Sequence, residues 1–224
     1  MNNYICISIP AQKFLKHMEL LKNKYKKYLV EVRMDKLGYI DMLRDELISF
    51  NDRLILTIRT LEEGGGCNHT LHEILEAYRK LIDIRPKYID IGIAIDKHLE
   101  VKDEAEDLGI KVIISYHNPY KTPSLRILRK IYKRIIGAQP HAAKIVTMAR
   151  KYEDNIIVLR LLAEAEHRIP LTAFCMGKFG RISRIIAPLL GSHIMYLSLS
   201  EDESTAPGQL TIDDYNMIME VLHR

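Results

Sequence analysis

The feature that most constrains the fold of this chain is a strand-like segment followed by a helix-like segment, a pair that recurs eight times. The strand-like segments are short, apolar and rich in β-branched residues, whereas the segments between them have the 3.6-residue apolar period of helices. The predicted strands cover residues 4–9, 28–33, 53–59, 88–93, 111–117, 143–148, 170–176 and 193–199. The predicted helices cover residues 11–25, 41–50, 71–83, 97–108, 124–136, 152–166, 182–190 and 212–222.

Apolar strands separated by helices indicate parallel strands that are covered by helices. Eight such units, recurring about every 27 residues, fit a closed barrel. We therefore predict an α/β fold, a (β/α)8 TIM barrel formed by residues 1–224 as a single domain. The alternative is an open, doubly wound sheet, but the first strand–helix turn, Ile9-Pro10-Ala11, lacks the glycine-rich fingerprint of a dinucleotide-binding sheet.

The composition agrees with a barrel and excludes several other classes of protein. The chain has 224 residues, 47% of them hydrophobic and 28% charged, which is enough for one sizeable core. No apolar run approaches the roughly 18 residues of a membrane span, and the first residues lack the basic and apolar regions of a secretory signal. The three cysteines, Cys6, Cys67 and Cys175, are odd in number and scattered, so no disulfide framework is implied. We expect a cytoplasmic protein with no membrane partner.

Lys144 interrupts the apolar run of the sixth predicted strand, His141-Ala-Ala-Lys144-Ile-Val-Thr-Met148. Lysines are almost never fully buried unless they are paired. The residue is therefore either an ammonium paired with a carboxylate, near a misplaced strand boundary, or a nucleophilic amine that desolvation keeps reactive. The strand alone leaves both alternatives open.

Polar residues gather where the other predicted strands end, which is where barrels of this kind carry their reactive groups. Strands two, three, five, seven and eight lead into Glu31-Val-Arg33-Met-Asp35, Arg59-Thr60 with Glu63, Ser115-Tyr-His117-Asn118, Met176-Gly-Lys-Phe-Gly-Arg-Ile-Ser183-Arg184 and Ser204-Thr-Ala-Pro-Gly-Gln209. Taken singly, Glu31 and Arg33 could form a structural ion pair. His117 could be an ordinary core histidine, and Arg184 a surface helix residue. Polar residues interrupt or follow six of the predicted strands, including the one that holds Lys144, and this shared placement favours an active site.

In their order and spacing these motifs resemble the type I 3-dehydroquinate dehydratases, a family of the shikimate pathway. The resemblance covers essentially the whole chain and includes Thr57-Ile-Arg59-Thr60 with Glu63-Gly-Gly, Ala143-Lys144-Ile-Val-Thr-Met148 and Ala206-Pro-Gly-Gln209. It implies a hydro-lyase of aromatic amino acid biosynthesis that converts 3-dehydroquinate to 3-dehydroshikimate. It further implies a lysine Schiff base, no cofactor and a homodimer.

The resemblance also implies a role for each matching residue. Lys144 would form the Schiff base, His117 would transfer protons, and Glu63 would orient the histidine. Arg184 would bind the substrate carboxylate. The residues implied in recognising the rest of the substrate are Glu31, Arg59, Thr205 and Gln209, with Arg33 as a charge partner and Met176 as a further substrate-binding residue.

The chain departs from the family pattern at three places. Thr205, preceded by Ser204, stands where a serine is expected, so either hydroxyl is a candidate for the ligand contact. Phe174 stands where a second methionine is common. The fourth strand reads Ile89-Asp90-Ile-Gly92, without the acidic residue expected two positions after Asp90.

The same residues suit the chemistry on physical grounds. Loss of water from a β-hydroxy ketone needs a carbanion equivalent next to the carbonyl, and an iminium formed on a lysine amine stabilises it. A histidine titrates in the range needed to move the protons of such a reaction. Arginines near the lysine would favour its neutral form, and a guanidinium fits a carboxylate bidentately. This chemistry requires neither a metal nor a nucleotide.

Three alternatives remain. Cys67-Asn-His69-Thr-Leu-His72 has a loose metal-ligand spacing, but zinc sites need three or four ligands and no second cluster follows, so we predict no metal. A class I aldolase would share the barrel and the Schiff-base lysine. A nucleic-acid-binding module would use the basic residues, although a net charge of +4 is small and a solvated helix face is the simpler reading. Those residues are Lys22, Lys24, Lys26, Lys27, Lys121, Arg126, Arg129, Lys130, Lys133 and Arg134.

Overall fold

The structure, a computed structural model, describes residues 4–95, 97–165 and 169–222. Its strands are β1 (Tyr4–Pro10), β2 (Leu29–Arg33), β3 (Leu54–Thr57), β4 (Tyr88–Gly92), β5 (Lys111–Asn118), β6 (Ala142–Met148), β7 (Leu171–Met176), β8 (Ile194–Ser198) and β9 (Leu210–Thr211). Its α-helices are α1 (Ala11–Asn23), α2 (Tyr39–Met42), α3 (Arg44–Ile48), α4 (Leu71–Asp83), α5 (His98–Asp107), α6 (Leu125–Gly137), α7 (Asp154–Glu164), α8 (Arg181–Leu189) and α9 (Ile212–Leu222). Short 3-10 turns include Leu61–Glu63 after β3, Lys178–Gly180 after β7 and Glu201–Glu203 after β8.

The strands pair in parallel in the order β7-β6-β5-β4-β3-β2-β1-β8-β9. β7 and β8 are linked by individual hydrogen bonds, in which His193 N donates to Leu171 O at 2.9 Å and Ile194 N donates to Thr172 Oγ1 at 3.0 Å. The sheet therefore curls into a barrel in which β7 lies next to β8. The predicted (β/α)8 barrel is confirmed.

The buried apolar residues form two separate clusters, because successive residues of a strand point to opposite faces. The larger cluster lies between the strands and the helices, and Phe14 and Leu56 belong to it. The smaller cluster lies inside the barrel. Seven of its members lie in the first halves of β1 to β6 and β8, and these are Cys6, Leu29, Ile55, Tyr88, Ile113, Ala142 and Ile194.

Above these residues, one inward-facing position in each of β1 to β8 carries a polar side chain. These residues, which we call the polar layer, are Ser8, Glu31, Thr57, Asp90, Ser115, Lys144, Thr172 and Tyr196. None of them is more than 5% exposed. Lys144 therefore lies deep in the barrel on an apolar floor, and a misplaced strand boundary does not account for it.

Two predicted helices differ from the observed ones. The helix predicted over 41–50 is two short helices, α2 and α3, because the backbone of Leu43 (φ −110°, ψ 6°) leaves the helical range. Ile40, Leu43 and Leu47 nevertheless stay buried on one face. The helix predicted over 152–166 begins at Asp154, whose carboxylate accepts hydrogen bonds from the preceding loop. Its last predicted position, 166, lies outside the described residues.

The basic residues of α6 lie on the outside of the barrel. Leu128, Tyr132 and Ile135 are buried on the inner face of this helix, so Arg126 and Arg129 are exposed on the opposite side. This arrangement is typical of a solvated helix face. None of the helices in the described ranges is long and apolar enough to cross a membrane.

Candidate active site

Lys144 lies in the middle of β6, and its Nζ atom is hydrogen-bonded to two carboxylates. Nζ donates to Asp90 Oδ2 at 2.9 Å and to Glu31 Oε1 at 3.3 Å. The face of the Tyr196 ring lies 3.9 Å from Nζ. Carboxylates, rather than the arginines expected from the sequence, are therefore the charged groups hydrogen-bonded to this amine. They are placed to compensate a positive charge on the nitrogen.

Asp90 connects Lys144 to Arg59. Its Oδ1 accepts hydrogen bonds from Arg59 Nη2 at 2.8 Å and from the Ser115 hydroxyl, while its Oδ2 accepts from Lys144. Burial opposes ionisation of this carboxyl, but Arg59 and Lys144 outweigh burial and hold the pKa of Asp90 well below its usual range. Asp90 is thus a fixed negative charge beneath the cavity.

His117 lies near the end of β5 and lines the same cavity as Lys144. Burial lowers the pKa of His117 well below its usual value, and the positive charges of Arg59 and Lys144 lower it further. At neutral pH the imidazole is therefore neutral and able to accept a proton.

Glu63 is close to His117 but does not hydrogen-bond to it. The Glu63 Oε1 atom lies 4.0 Å from His117 Nδ1, and this nitrogen has no hydrogen-bond partner among the described residues. Both carboxylate oxygens instead accept from Arg59 Nη1 at 3.3 Å. Burial raises the pKa of Glu63, although Arg59 opposes the shift. In the ligand-free protein Glu63 is held mainly by the arginine.

Arg184, in the first turns of α8, is a buried cation with no counter-ion among the described residues. Its Nε and Nη2 atoms have no hydrogen-bond partner in the described part of the chain. The guanidinium lies over the Phe174 ring, 4.3 Å from its centroid. Burial lowers the pKa of Arg184 to about 9, and the nearby charge of Arg181 acts in the same direction. A buried guanidinium with unsatisfied donors is a binding site for an anion.

The segment of residues 201–209, which we call the lid, covers the cavity from the β8 side. The Thr205 hydroxyl lies 2.9 Å from the Ser8 hydroxyl, which in turn donates to Glu31. Gln209 Oε1 accepts from the Thr205 amide at 2.8 Å. Ser204, the other candidate hydroxyl, instead donates to the Ala206 carbonyl at 2.8 Å. Thr205 is therefore the lid hydroxyl that lies toward the polar layer.

The lid is fastened at its far end to the loop after β7. Gly177 N donates to the Pro207 carbonyl at 2.9 Å, and β9 then pairs with the end of β8. Gly208 has a positive φ of 71°, and a Cβ at this position would overlap the Gly177 carbonyl. A glycine is required where these two backbones meet.

Arg33 and Asp35 tie the second and third strand ends together. Arg33 Nη2 donates to Asp35 Oδ2 at 2.6 Å and its Nη1 donates to the Thr205 carbonyl at 3.4 Å. Asp35 also accepts from the backbone amides of Arg59 and Gly66, each at 2.9 Å. Arg33 thus faces the lid, and Asp35 holds it there.

All ten residues singled out from the sequence line one cavity at the C-terminal ends of the strands, with an empty volume of about 510 Å³ that includes its open mouth. Sequence reasoning missed Ser8, Thr57 and Tyr196, which line the same cavity. The signal for Ser8 and Thr57 was a lone hydroxyl residue within an apolar strand. Tyr196 gave no such signal, because tyrosine is common in strands.

The fold and the cavity define a class of protein, a (β/α)8 barrel with a lysine amine at the bottom of a polar cavity. The sequence model of the family named type I 3-dehydroquinase matches residues 5–224, and the chain belongs to this family. A curated 3-dehydroquinate dehydratase from Thermococcus onnurineus is 39% identical over 194 residues, which are 87% of each chain. The predicted lyase class is confirmed by these matches.

Solved structures agree with the barrel. The 3-dehydroquinate dehydratase of Geobacillus kaustophilus superposes with a TM-score of 0.88 at 22% identity, covering 100% of this chain and 92% of that one. The enzyme of Aquifex aeolicus superposes with a TM-score of 0.78 at 27% identity and covers 99% of both chains. The first of these similarities concerns the fold alone.

Proposed function

We propose that this protein converts 3-dehydroquinate to 3-dehydroshikimate through an imine formed on Lys144. The observation that carries the proposal is one cavity that holds the Lys144 amine, a neutral imidazole and a guanidinium with two nitrogens unpartnered by any described residue. An amine, a base and a carboxylate site are what elimination of water from a keto acid requires. Membership of the type I 3-dehydroquinase family supports the choice of substrate.

The amine attacks the substrate ketone and forms a carbinolamine, whose hydroxyl takes up one proton and leaves as water to give an iminium. The final hydrolysis returns this proton. Asp90 and Glu31 contact Nζ and stabilise this positive charge. Loss of the proton next to the iminium carbon gives an enamine, which expels the β-hydroxyl as water. Hydrolysis of the conjugated iminium then releases the enone and the free amine, so the net change is the loss of one water molecule.

His117 moves the protons in this scheme. Its depressed pKa means that it enters the reaction as a base, so it accepts the proton next to the iminium carbon. The imidazolium then donates that proton to the departing hydroxyl. Glu63, 4.0 Å from Nδ1, supports the transient imidazolium by its charge.

Arg184 binds the substrate carboxylate, for which its unpartnered Nε and Nη2 atoms are the donors. Glu31, Arg59, Thr205 and Gln209 recognise the substrate hydroxyls. The contact between Thr205 and Ser8 is replaced when a ligand enters, because both hydroxyls line the cavity.

The test combines an assay with chemical trapping. Purified protein mixed with 3-dehydroquinate should produce an enone absorbance, and borohydride added during turnover should leave a stable adduct on the peptide that contains Lys144. Lys144→Ala should lose both signals. Ordinary turnover by Lys144→Ala would show that the imine mechanism is wrong.

Two variants sharpen this experiment. Lys178→Ala removes an exposed lysine from the loop after β7 and should retain both signals, which controls for nonspecific reduction. His117→Ala should lower kcat by about 10²–10⁴, the usual contribution of a positioned acid–base group. It should still allow trapping on Lys144, because water can carry the protons of a slow imine formation.

We also propose a cytoplasmic homodimer, and light scattering of the purified protein tests its stoichiometry.

A further inference from the structure

Gly92 is the last residue of β4 and points into the barrel. Asp90, two positions earlier, faces inward, and alternation along the strand gives position 92 the same direction. The register pairs Gly92 with Ser115 of β5, two positions before His117. A side chain here would enter the cavity wall between Arg59 and His117.

The space that a side chain would need is filled by Glu63. A Cβ built on Gly92 would lie 2.5 Å from Glu63 Oε2, 2.6 Å from Oε1 and 2.8 Å from the carboxyl carbon. Real Cβ atoms do not approach other atoms so closely. The carboxylate could therefore not hold its observed position above any residue but glycine.

The backbone at this position does not itself require glycine. Gly92 does not belong to the positive-φ residues of the described chain, and it takes part in the β4 ladder. An alanine would fit the backbone, and the three atoms nearest to its Cβ would all belong to the Glu63 carboxylate. The substitution is therefore a selective probe of where that carboxylate lies.

The position of Glu63 affects two of the groups that the proposed mechanism uses. Its oxygens are shared with Arg59 Nη1 at 3.3 Å, and its Oε1 lies 4.0 Å from His117 Nδ1. Its negative charge thus compensates the arginine that faces the histidine. After burial, the charges that act on the pKa of His117 are those of Arg59, Lys144 and Arg33, which lower it, and that of Asp90, which raises it.

We propose, taking the function above as given, that Gly92 is a positioning residue for the proton transfer at His117. The missing side chain admits the Glu63 carboxylate between Arg59 and His117. The sequence lacks the expected acidic residue at this position, and the carboxylate of Glu63 occupies the space instead.

A methyl group on residue 92 would push the carboxylate back toward the mouth of the barrel, from which the Glu63 side chain enters. His117 would then face Arg59 and Lys144 with less compensation, and its imidazolium would become harder to form. Gly92→Ala should lower kcat about tenfold to a hundredfold, as expected for a catalytic group displaced by about 1 Å. KM should change less than kcat, because Arg184 and the lid are untouched and only Arg59 among the proposed substrate-binding residues contacts Glu63.

A double-mutant cycle tests the contact directly. Glu63→Asp shortens the side chain by one methylene, so it should be harmful alone but should relieve the conflict in Gly92→Ala. If the two residues acted independently, the factors by which the single changes lower kcat/KM would multiply in the double variant. We expect the double variant's factor to be smaller than this product by at least about threefold, since groups in contact do not act independently. Losses that multiply without this relief would overturn the proposal.

A second readout does not depend on the reaction. The imidazole signal of His117, followed by NMR in the ligand-free protein, should titrate at lower pH in Gly92→Ala than in the wild type. Gly137→Ala is the matched control, because a Cβ there meets nothing within 4 Å, and it should leave the titration and kcat unchanged. An unshifted His117 titration in folded Gly92→Ala would refute the role of Gly92. Absence of dehydratase activity in the wild type would refute only the proposed function.

Discussion

Arg184 lowers the stability of the ligand-free protein, because a buried charge with unsatisfied donors destabilises the folded state. Arg184→Met keeps most of the side-chain volume and removes the charge. We expect the variant to be more stable by about 1–3 kcal/mol, since each buried unsatisfied group costs about that much. Its kcat/KM should fall by at least about a hundredfold, because the substrate carboxylate loses its partner.

Denaturant unfolding and steady-state kinetics measure these two effects. Arg181→Met is the control on the same helix, because Arg181 is about half exposed and pairs with Asp214 at 3.2 Å. A surface change of this kind should alter stability by less than about 0.5 kcal/mol. If Arg184→Met were less stable and fully active, Arg184 would be a structural residue.

His117 gives the protein a pH-dependent stability. Its folded-state pKa is depressed, so below about pH 6.5 the unfolded chain binds a proton that the folded chain does not. The free energy of unfolding should therefore fall with pH below this value, at up to about 1.4 kcal/mol per pH unit. His193, whose pKa is lowered by burial, contributes in the same direction.

His117→Gln should flatten this dependence between about pH 6.5 and 5. The measurement is a series of denaturant titrations at fixed pH values, with His72→Gln as the control because His72 is exposed on α4. Equal slopes for His117→Gln and the wild type would mean that His117 is protonated in the folded protein.

At the scale of elements, α1 anchors the lid through charged contacts. Glu203 accepts from His17 Nε2 at 2.6 Å and from Lys16 Nζ at 3.1 Å, and Lys13 donates to the Asp202 carbonyl at 2.9 Å. Burial opposes the charge of Glu203, but Lys16 and His17 outweigh it and lower its pKa. Helix α1 therefore helps to keep Thr205 over the cavity.

Glu203→Gln should loosen the lid and raise KM about twofold to fivefold, the size of a partly exposed ion pair. The difference from the wild type should shrink at high salt, because ions screen charges near the surface. Glu201→Gln changes an exposed carboxylate of the same turn and should leave KM unaltered. A KM for Glu203→Gln that equals the wild-type value at low salt would contradict the anchoring role.

At the scale of the whole molecule, the alternation of apolar strands and helices was sufficient to predict the barrel. The same pattern predicted that Arg59, His117 and Lys144 lie at one end of it, because parallel strands end on the same side. It could not predict that Asp90 of β4 reaches Lys144 of β6, a contact that skips one strand and depends on the curvature of the barrel. Nor could it predict that Glu63 occupies the space above Gly92, since no local pattern couples those residues.

The join between β7 and β8 has a consequence for how the molecule responds to its ligand. At the mouth, the Pro207 carbonyl and β9 continue the wall that these two strands do not complete by direct pairing. The lid that covers the cavity is therefore also part of the barrel wall, and lifting it leaves the backbone amide of Gly177 without its Pro207 partner. Occupancy of the site and local unfolding of this wall are linked equilibria, so the substrate is a stabilising ligand of the fold as well as a reactant.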